Sequence, residues 1–487
     1  MDISHLNPER VWKNFYALTR IPRPSKHEEQ VSKYLEKFGK DRGLETYRDK
    51  LGNIVIRKPA TPGMENRKGI ILQGHMDMVP QKNPDVKHDF VKDPVEPRIV
   101  DEDGEQWVYA TGTTLGADNG IGVATALAVL EADDLEHGPI EALFTIDEET
   151  GMTGASNLEP GVLKGDILIN LDSETEGELY IGCAGGIDFV ATAAYEVEPV
   201  PAGYEVYEID VKGLKGGHSG MEINLGRGNS NKIMARIVVP LMRDHKALLS
   251  SIEGGNMRNS IPRDCVAVIA VPASEAKAVD KTVAEVLAEV RKEFGSVDPE
   301  ITAGARKTVA ETVMAGDVAC KMMKAVWACP NEVSRMSVDV PGLVETSGNL
   351  AIVSTKGGTF KVISLVRSSI DSAKMDMAER LRCVFELAGA KVIYEGSYSG
   401  WKPDMDSEIL ANMVNVYSGL YGREPMVMAI HAGLECGILG SIYPAWDMVS
   451  CGPTIKAPHS PEERVLVSSV ERFWNFIVEV LRQAPEK

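Results

Sequence analysis

Short apolar segments alternate with helical patterns along the first part of the chain, and no other feature constrains the fold as strongly. The segments that predict buried strands cover residues 53–57, 69–72, 140–146 and 166–171. A stretch rich in Gly and Ala over residues 119–132 predicts a helix that packs closely on a sheet, and Ser25 with Glu28 predicts a capping box that begins an earlier helix. Because strands that alternate with helices form an α/β sheet, we predict such a sheet with helices on both faces.

The middle of the chain has a different pattern. It predicts a half-exposed strand at residues 204–211 and two long amphipathic helices at 229–249 and 274–294. A hairpin at 349–366 and a further helix at 371–389 follow. A chain of 487 residues is too long for one ordinary domain. We therefore predict a split α/β domain over residues 1–187 and 397–487, with an α+β domain over 188–396 inserted between its two parts.

The composition is that of an acidic globular protein. Lys and Arg number 52 and Asp and Glu number 71, which gives a net charge of −19. Nucleic acids and anionic membranes are bound by basic surfaces, so this charge argues against both as partners. Hydrophobic residues make up 44% of the chain, which is enough for a sizeable core.

Cysteine usage and the apolar segments bear on the compartment. The seven cysteines are odd in number and include no CxxC pair, which is typical of a protein from a reducing compartment. The N-terminus lacks the basic and apolar regions of a signal peptide, and no apolar stretch reaches the roughly 18 residues that suggest a membrane span. We therefore expect a cytoplasmic protein.

Five residues have side chains suited to metal binding, and four of them fall at predicted strand ends or strand-to-helix turns. They are His75, Asp118, Glu149, Asp172 and His459. In an open α/β sheet that edge is where ligands bind. Carboxylates and imidazoles suit Zn²⁺ and similar divalent ions. With one bridging carboxylate, five side chains suffice for two ions about 3.5–4 Å apart, with room for water or substrate.

Two further acids lie beside these candidates. Neighbours on a regular strand point in opposite directions, so Glu148 and Glu149 need a turn to reach one site. Glu148 then suits a general base that takes a proton from metal-bound water, and Asp77 can fix the tautomer of His75. Each residue also has a purely structural explanation: His75 as a satisfied core histidine, Asp118 as a helix cap, and the Glu148–Glu149 pair as a solvated strand end.

Five segments together carry a family pattern. They are residues 74–80 (GHMDMVP), 113–122 (TTLGADNGIG), 147–152 (DEETGM), 170–174 (NLDSE) and 452–460 (GPTIKAPHS). The chain strongly resembles the M20 (aminoacylase-1/carboxypeptidase G2-like) metallopeptidases, essentially from end to end. Residues 57–60, 182–188, 215–220 and 431–437 narrow the resemblance to the bacterial aminoacyl-histidine dipeptidases of that family, also called Xaa-His dipeptidases, peptidase D or carnosinases.

The resemblance implies a mixed-sheet, phosphorylase/hydrolase-like catalytic domain with an inserted α+β lid. It also implies two divalent ions per chain, Zn²⁺ first and Co²⁺ or Mn²⁺ as alternatives. His75 and Asp172 would bind one ion, Glu149 and His459 the other, and Asp118 would bridge them. The peptide bond after Asp118 would be cis.

Further roles follow from the same resemblance. Glu148 would be the general base, and Asp77 would orient the first histidine ligand. The lid would supply His218 to stabilise the oxyanion. Substrate contacts would come from Asn259, Arg367 and Gly433, with Arg367 suited to a peptide carboxylate. From the residues alone, His218 could equally be a turn histidine between glycines, and Arg367 could be part of a surface ion pair.

The function implied is hydrolysis of Xaa-His dipeptides such as β-alanyl-histidine (carnosine), and of other unblocked dipeptides, by a cytoplasmic homodimer. The same metal set would also serve a tripeptidase, an aminoacylase or a carboxypeptidase. A protein that binds a peptide or a metal without turnover is a further alternative, against which an intact Glu148 argues.

Overall fold

The computed structural model describes all 487 residues, and the chain folds into two compact units. The first unit comprises Met1–Gly182, Pro403–Ala429 and Leu434–Lys487, and the second comprises Cys183–Lys402 and Ile430–Gly433. No helix is both long enough and apolar enough to cross a membrane.

Helices and strands alternate along much of the chain, with two short 3-10 helices at Ile223–Leu225 and Ala273–Glu275. The α-helices are α1 Glu9–Thr19, α2 Glu29–Asp41, α3 Ala117–Glu131, α4 Glu148–Gly151, α5 Thr153–Ser156, α6 Ser230–His245, α7 Ala276–Phe294, α8 Val318–Ala328, α9 Asp371–Leu387, α10 Glu408–Tyr421, α11 Glu435–Ile442 and α12 Val467–Arg482. The strands are β1 Glu45–Arg48, β2 Ile54–Lys58, β3 Ile70–His75, β4 Pro97–Glu102, β5 Glu105–Ala110, β6 Ile140–Thr145, β7 Ile167–Asn170, β8 Glu178–Cys183, β9 Gly185–Ala194, β10 Val197–Pro199, β11 Tyr204–Lys212, β12 Gly217–His218, β13 Leu248–Gly254, β14 Ser260–Ile261, β15 Cys265–Pro272, β16 Thr302–Thr308, β17 Thr312–Met314, β18 Glu332–Met336, β19 Val344–Ser354, β20 Thr359–Ser368, β21 Lys391–Tyr398, β22 Met426–Ile430, β23 Asp447–Ser450, β24 Ile455–Lys456 and β25 Arg464–Leu466.

The first unit is built on a mixed eight-stranded sheet with the strand order β1-β2-β6-β3-β7-β23-β8-β22. Its four central strands, β6, β3, β7 and β23, run parallel to one another. Strands β3, β6 and β7 are buried along their whole length, as expected for the centre of an α/β sheet. The predicted mixed α/β fold is therefore confirmed, and the carboxyl ends of the central strands meet at one edge.

Helix α3 packs very closely on this sheet. It is buried on all sides from Ala117 to Leu130, which explains its Gly- and Ala-rich sequence. A Cβ atom at Gly122 would lie 2.5 Å from the carbonyl oxygen of Leu171, just past the end of β7, so glycine is required at this contact. The close approach brings the start of α3 to the carboxyl ends of β3 and β7.

A second, four-stranded sheet of the first unit has the order β24-β25-β5-β4. Strand β25 pairs with β24 and β5, and helix α12 follows β25 directly. His459 lies in the loop between β24 and β25. This sheet therefore anchors both ends of the loop that carries the last of the predicted metal ligands.

The second unit contains an antiparallel sheet with the order β16-β11-β15-β13-β19-β20-β9-β21, and β18 also pairs with β19. Helices α6, α7, α8 and α9 contribute apolar side chains to one continuous core with the sheet. Its Phe189, Phe360 and Phe385 are fully buried. The predicted hairpin is present as β19 and β20.

Two local predictions are wrong. The helix expected over residues 229–249 ends at His245, because Lys246 adopts a left-handed conformation (φ 54°) and strand β13 begins at Leu248. The capping box is absent. Ser25 donates its hydroxyl hydrogen bond to Asp77, and the carboxylate of Glu28 accepts from the backbone N–H groups of Lys26 and Asp147.

The predicted cis peptide bond between Asp118 and Asn119 is present.

Candidate metal centre

The predicted ligands of the first unit converge at the carboxyl edge of its central strands. His75 is the last residue of β3, and Asp172 follows β7 by two residues. Glu148 and Glu149 begin α4, just after β6. Asp118 lies in the first turn of α3. Parallel strands present their carboxyl ends at one edge, which is how residues far apart in sequence become neighbours.

Asp118 occupies the centre of the cluster. Its Oδ1 lies 3.1 Å from Nε2 of His75, and its Oδ2 lies 3.2 Å from Nε2 of His459. The same nitrogen of His75 is 3.2 Å from Oδ1 of Asp172, and that of His459 is 3.0 Å from Oε2 of Glu149. One carboxylate thus faces two imidazoles, each of which has a further carboxylate beside it.

A turn aims both neighbouring glutamates at the cluster. Asp147 adopts a left-handed conformation (φ 52°), and its carboxylate accepts hydrogen bonds from the hydroxyls of Thr150 and Thr153. One potential ligand atom each of His75, Glu148 and Glu149 lies within 4.8 Å of the others. The turn therefore places both glutamates at the cluster, whereas a regular strand would point them in opposite directions.

Asp77 contacts both His75 and the turn that carries Glu148 and Glu149. It is fully buried, and its Oδ1 lies 3.3 Å from Nδ1 of His75. Its carboxylate also accepts from the backbone N–H groups of Glu148 (3.1 Å) and Glu149 (3.3 Å), and from the hydroxyl of Ser25 (2.8 Å). One buried acid thus orients an imidazole and fixes the turn that carries two glutamates.

The cluster holds more negative charge than its two histidines balance. Burial raises the pKa of Glu148 well above its usual range, and it also raises the pKa of Asp172. Burial alone would lower the pKa of His75, but Asp172 and the other nearby carboxylates raise it well above the usual range. Hydrogen bonds to Asp118 and Glu149 raise the pKa of His459. Several buried carboxylates in contact favour the binding of cations.

The donor set fits divalent ions. Oε1 of Glu149 and Oδ1 of Asp172 are buried and accept no hydrogen bond, which leaves both atoms available as ligands. Two groups of three potential ligands share Asp118: one adds His75 and Asp172, and the other adds Glu149 and His459. Mixed carboxylate and imidazole ligands suit Zn²⁺, Co²⁺ and Mn²⁺.

Other buried acids near the cluster had no signal as site residues in the sequence. Glu435, at the start of α11, accepts hydrogen bonds from Gln73 (2.6 Å) and Thr145 (2.7 Å). Burial raises the pKa of Glu174 to about 8. Glu463 lies in the loop after His459 and is 2% exposed. Only the folded chain shows that Glu435 and Glu463 are buried and that Glu174 is partly buried.

The predicted residues of the second unit form their own polar cluster. Nδ1 of His218 accepts backbone hydrogen bonds from Gly220 (3.3 Å) and Met221 (3.1 Å). Arg367 on β20 is 5% exposed, donates from Nη1 to the hydroxyl of Tyr398, and has no partner at Nε. A surface ion pair is therefore the wrong explanation for Arg367.

His431 belongs to this second cluster, although the sequence did not single it out as a site residue. Its Nε2 lies 2.7 Å from the hydroxyl of Ser347. Burial and then the charge of Arg367 lower the pKa of His431 to about 3. The same two causes lower the pKa of His218.

The remaining two predicted contacts also lie in the second unit. Asn259 directly precedes β14, and its carbonyl oxygen accepts from the N–H of Ser219 at 2.8 Å. Gly433 ends the short segment Ile430–Gly433. This segment lies so close to Gly220 that a Cβ atom at Gly220 would contact the carbonyl oxygen of His431.

Comparisons with known proteins find relatives that match the whole chain. The sequence pattern of peptidase family M20/M25/M40 matches residues 71–483. The cytosol non-specific dipeptidase of Escherichia coli (strain K12) is 45% identical over 490 residues, which cover 100% of both chains. The crystal structure of aminoacylhistidine dipeptidase from Vibrio alginolyticus superposes with a TM-score of 0.94 at 47% identity and covers 100% of this chain and 99% of that one. Aminopeptidase PepT from Bacillus cereus, at 17% identity and a TM-score of 0.57 with 98% and 99% of the chains covered, shares the fold.

Adding Zn²⁺ to the metal-free protein should raise its thermal midpoint, because the ions bind the folded cluster and not the unfolded chain. A site held at a hundredfold excess of free ion over its Kd gains about 2.7 kcal/mol. His459→Ala should lose part of this shift, since it removes a ligand whose side chain is only half-buried and contributes little packing. His5→Ala, at an exposed position, is the matched control. Scanning fluorimetry with and without EDTA measures the shift, and equal shifts in wild type and His459→Ala would argue against His459 as a ligand.

Proposed function

This chain belongs to peptidase family M20/M25/M40, and we propose that it is a dipeptidase that uses two divalent ions. The relative that matches it from end to end is named a dipeptidase. The observation that carries the proposal is the position of Asp118 between two imidazoles, each with its own further carboxylate. A bridging carboxylate with this surrounding is the arrangement that a two-ion hydrolase requires.

We assign His75 and Asp172 to one ion, Glu149 and His459 to the other, and Asp118 to both. Zn²⁺ is the proposed ion, and Co²⁺ or Mn²⁺ would accept the same donors. When bound, the ions supply Lewis acidity that polarises a carbonyl and makes water a stronger acid. The separate carboxylates keep each imidazole in place and add the negative charge that attracts the ions.

Glu148 is the proposed general base. Its carboxylate lies at the cluster beside Glu149, and burial raises its pKa well above the usual range. A base of raised pKa can take a proton from the attacking water and then deliver it to the leaving amine. Asp77 holds the N–H of Glu148 and thereby keeps the base aimed at the cluster.

His218 is the proposed donor to the oxyanion. Because its Nδ1 accepts two backbone hydrogen bonds, the proton of the neutral ring resides on Nε2. The ring is therefore prepared to donate from Nε2 without first gaining a charge. We propose that the second unit, which contains the predicted inserted domain 188–396, acts as a lid that brings this donor to the substrate.

Substrate recognition is assigned to Arg367, Asn259 and Gly433. Arg367 is a buried cation with a free Nε–H, which suits the carboxylate of a peptide C-terminus. We propose Xaa-His dipeptides, including β-alanyl-histidine, as substrates together with other unblocked dipeptides. The name of the relative from Vibrio alginolyticus supports the Xaa-His preference, and that of the relative from Escherichia coli supports a broader range and a cytosolic location. A homodimer is proposed from the family resemblance.

Glu148→Gln should lower kcat for β-alanyl-histidine by about 10²–10⁴-fold, the contribution typical of a general base. Metal content should not change, because the five assigned ligands remain. Glu159→Gln, at an exposed position in the same unit, is the control. Near-wild-type turnover by Glu148→Gln with full metal content would refute the proposed mechanism.

His218→Ala should lower kcat by about 10²–10³-fold with little change in KM, since the donor acts when charge develops on the substrate oxygen. His245→Ala is the matched control, because that ring lies at the end of α6 and pairs with Glu275. Steady-state kinetics separate the two parameters. A rise in KM alone would instead make His218 a contact for bound substrate.

Wild-type protein loaded with Zn²⁺ should hydrolyse dipeptides faster than tripeptides or N-acyl amino acids of matched sequence. A panel of all three together with a longer peptide, assayed by release of free amine with and without chelator, tests this expectation. Preference for tripeptides, N-acyl amino acids or longer peptides would indicate a tripeptidase, an aminoacylase or a carboxypeptidase. Absence of hydrolysis with Zn²⁺, Co²⁺ and Mn²⁺ would favour a protein that binds peptide or metal without turnover.

A further inference from the structure

The carboxylate of Glu463 receives four backbone hydrogen bonds. Its Oε2 accepts from the N–H groups of Leu115 (2.7 Å) and Gly116 (2.9 Å). Its Oε1 accepts from those of Ala117 (2.7 Å) and Asp118 (3.2 Å). The side chain is almost fully buried, so water does not compete for these bonds. Burial raises the pKa of Glu463 to about 7, and the backbone hydrogen bonds oppose this rise because they stabilise the ionised form.

The four donors lie in the turn that leads into helix α3, where Asp118 and Asn119 have non-helical backbone angles. Buried backbone N–H groups outside regular helix or sheet need other hydrogen-bond partners. Glu463 satisfies them together. The last of them belongs to Asp118, the carboxylate between the two imidazoles, so Glu463 fixes the backbone from which that carboxylate projects.

Glu463 also holds the loop that carries His459. It follows His459 by four residues, and its own N–H donates to the carbonyl oxygen of Ser460 at 3.0 Å. Both Ala457 (φ 51°) and His459 (φ 59°) adopt left-handed conformations. Because the His459 side chain is 52% exposed, packing alone does not hold it in place.

Arg23 completes the frame around the same turn. Its Nη2 donates to the carbonyl oxygen of Gly116 (2.5 Å), and its Nη1 donates to that of Asp77 (2.8 Å). The backbone of residues 115–118 is thus held on its N–H side by Glu463 and at a carbonyl by Arg23. The second contact links the turn to the segment that orients His75.

We propose that Glu463 is a positioning residue that sets the distance between Asp118 and His459, and thereby the affinity and geometry of the ion bound by Asp118, Glu149 and His459. The proposal rests on the two-ion centre proposed above. Glu463→Gln retains the shape of the side chain. However, it replaces one acceptor oxygen with an NH₂ group that faces two N–H donors.

The test is binding of Co²⁺ to metal-free protein, followed by calorimetry and by visible absorption, which reports ligand geometry. Wild type should bind two ions. Glu463→Gln should bind the ion held by Asp118, Glu149 and His459 about 10–100-fold more weakly with an altered spectrum, as expected for loss of a residue that supports a ligand. The other ion shares only Asp118 with it and should be weakened less. Glu463→Asp keeps the charge but shortens the reach, so an intermediate loss is expected. Glu462→Gln, the exposed neighbour, should behave as wild type.

Two outcomes overturn the proposal. Folded Glu463→Gln and Glu463→Asp that bind both ions with wild-type affinity and spectrum would exclude a positioning role. Equal weakening of both ions together with a lower thermal midpoint of the metal-free protein would indicate a purely structural role. If Glu463→Gln does not fold, Glu463→Asp decides by the same criteria. Fewer than two ions in wild type would instead refute the two-ion centre, independently of Glu463.

Discussion

Repulsion among buried carboxylates is the constraint on which the rest of the first unit depends. Asp77, Glu149 and Asp172 lie within a few residues of strand ends, Asp118 lies in the first turn of α3, and all four are almost fully shielded from water. Such a group is stable only if protons, hydrogen-bond donors or cations balance its charge. Burial first, and then the neighbouring carboxylates, raise the pKa of both Glu148 and Asp172. The fold therefore maintains a strong preference for cations at one edge of its sheet.

Backbone N–H groups stabilise two of the buried carboxylates by hydrogen bonds and leave their negative charge in place. Asp77 accepts two hydrogen bonds from N–H groups of the turn at Glu148, and Glu463 accepts four from N–H groups at the start of α3. Neither acid has to move when a cation arrives, because fixed dipoles already support its charge. Preorganised dipoles of this kind stabilise charge without the cost of reorganising water. Close packing at Gly122 then keeps these dipoles at the strand ends.

Sequence patterns predicted the mixed α/β fold and its buried strands, because strands and helices each have a local periodicity. The division into domains and the metal ligands stay predictions. Convergence of His75, Asp118 and Asp172 also followed, since parallel strands share an edge. Ser25 does not cap the helix as predicted, because its hydroxyl donates to Asp77, which lies 52 residues away in the sequence. Glu435 and Glu463 could not be found from local patterns, because a glutamate that meets distant strands or a helix start looks like any solvated glutamate. The short turn at Asp147 likewise depends on hydrogen bonds between side chains rather than on periodicity.

The cluster of the second unit has the opposite electrostatic character. Arg367 is a buried permanent cation, and burial together with its charge lowers the pKa of both His431 and His218. At neutral pH the two rings therefore stay neutral, since a second cation beside a buried guanidinium would be costly. The cluster then carries one positive charge with neutral hydrogen-bonding groups around it. In the proposed function, this buried cation is the group that would meet the carboxylate of a peptide C-terminus.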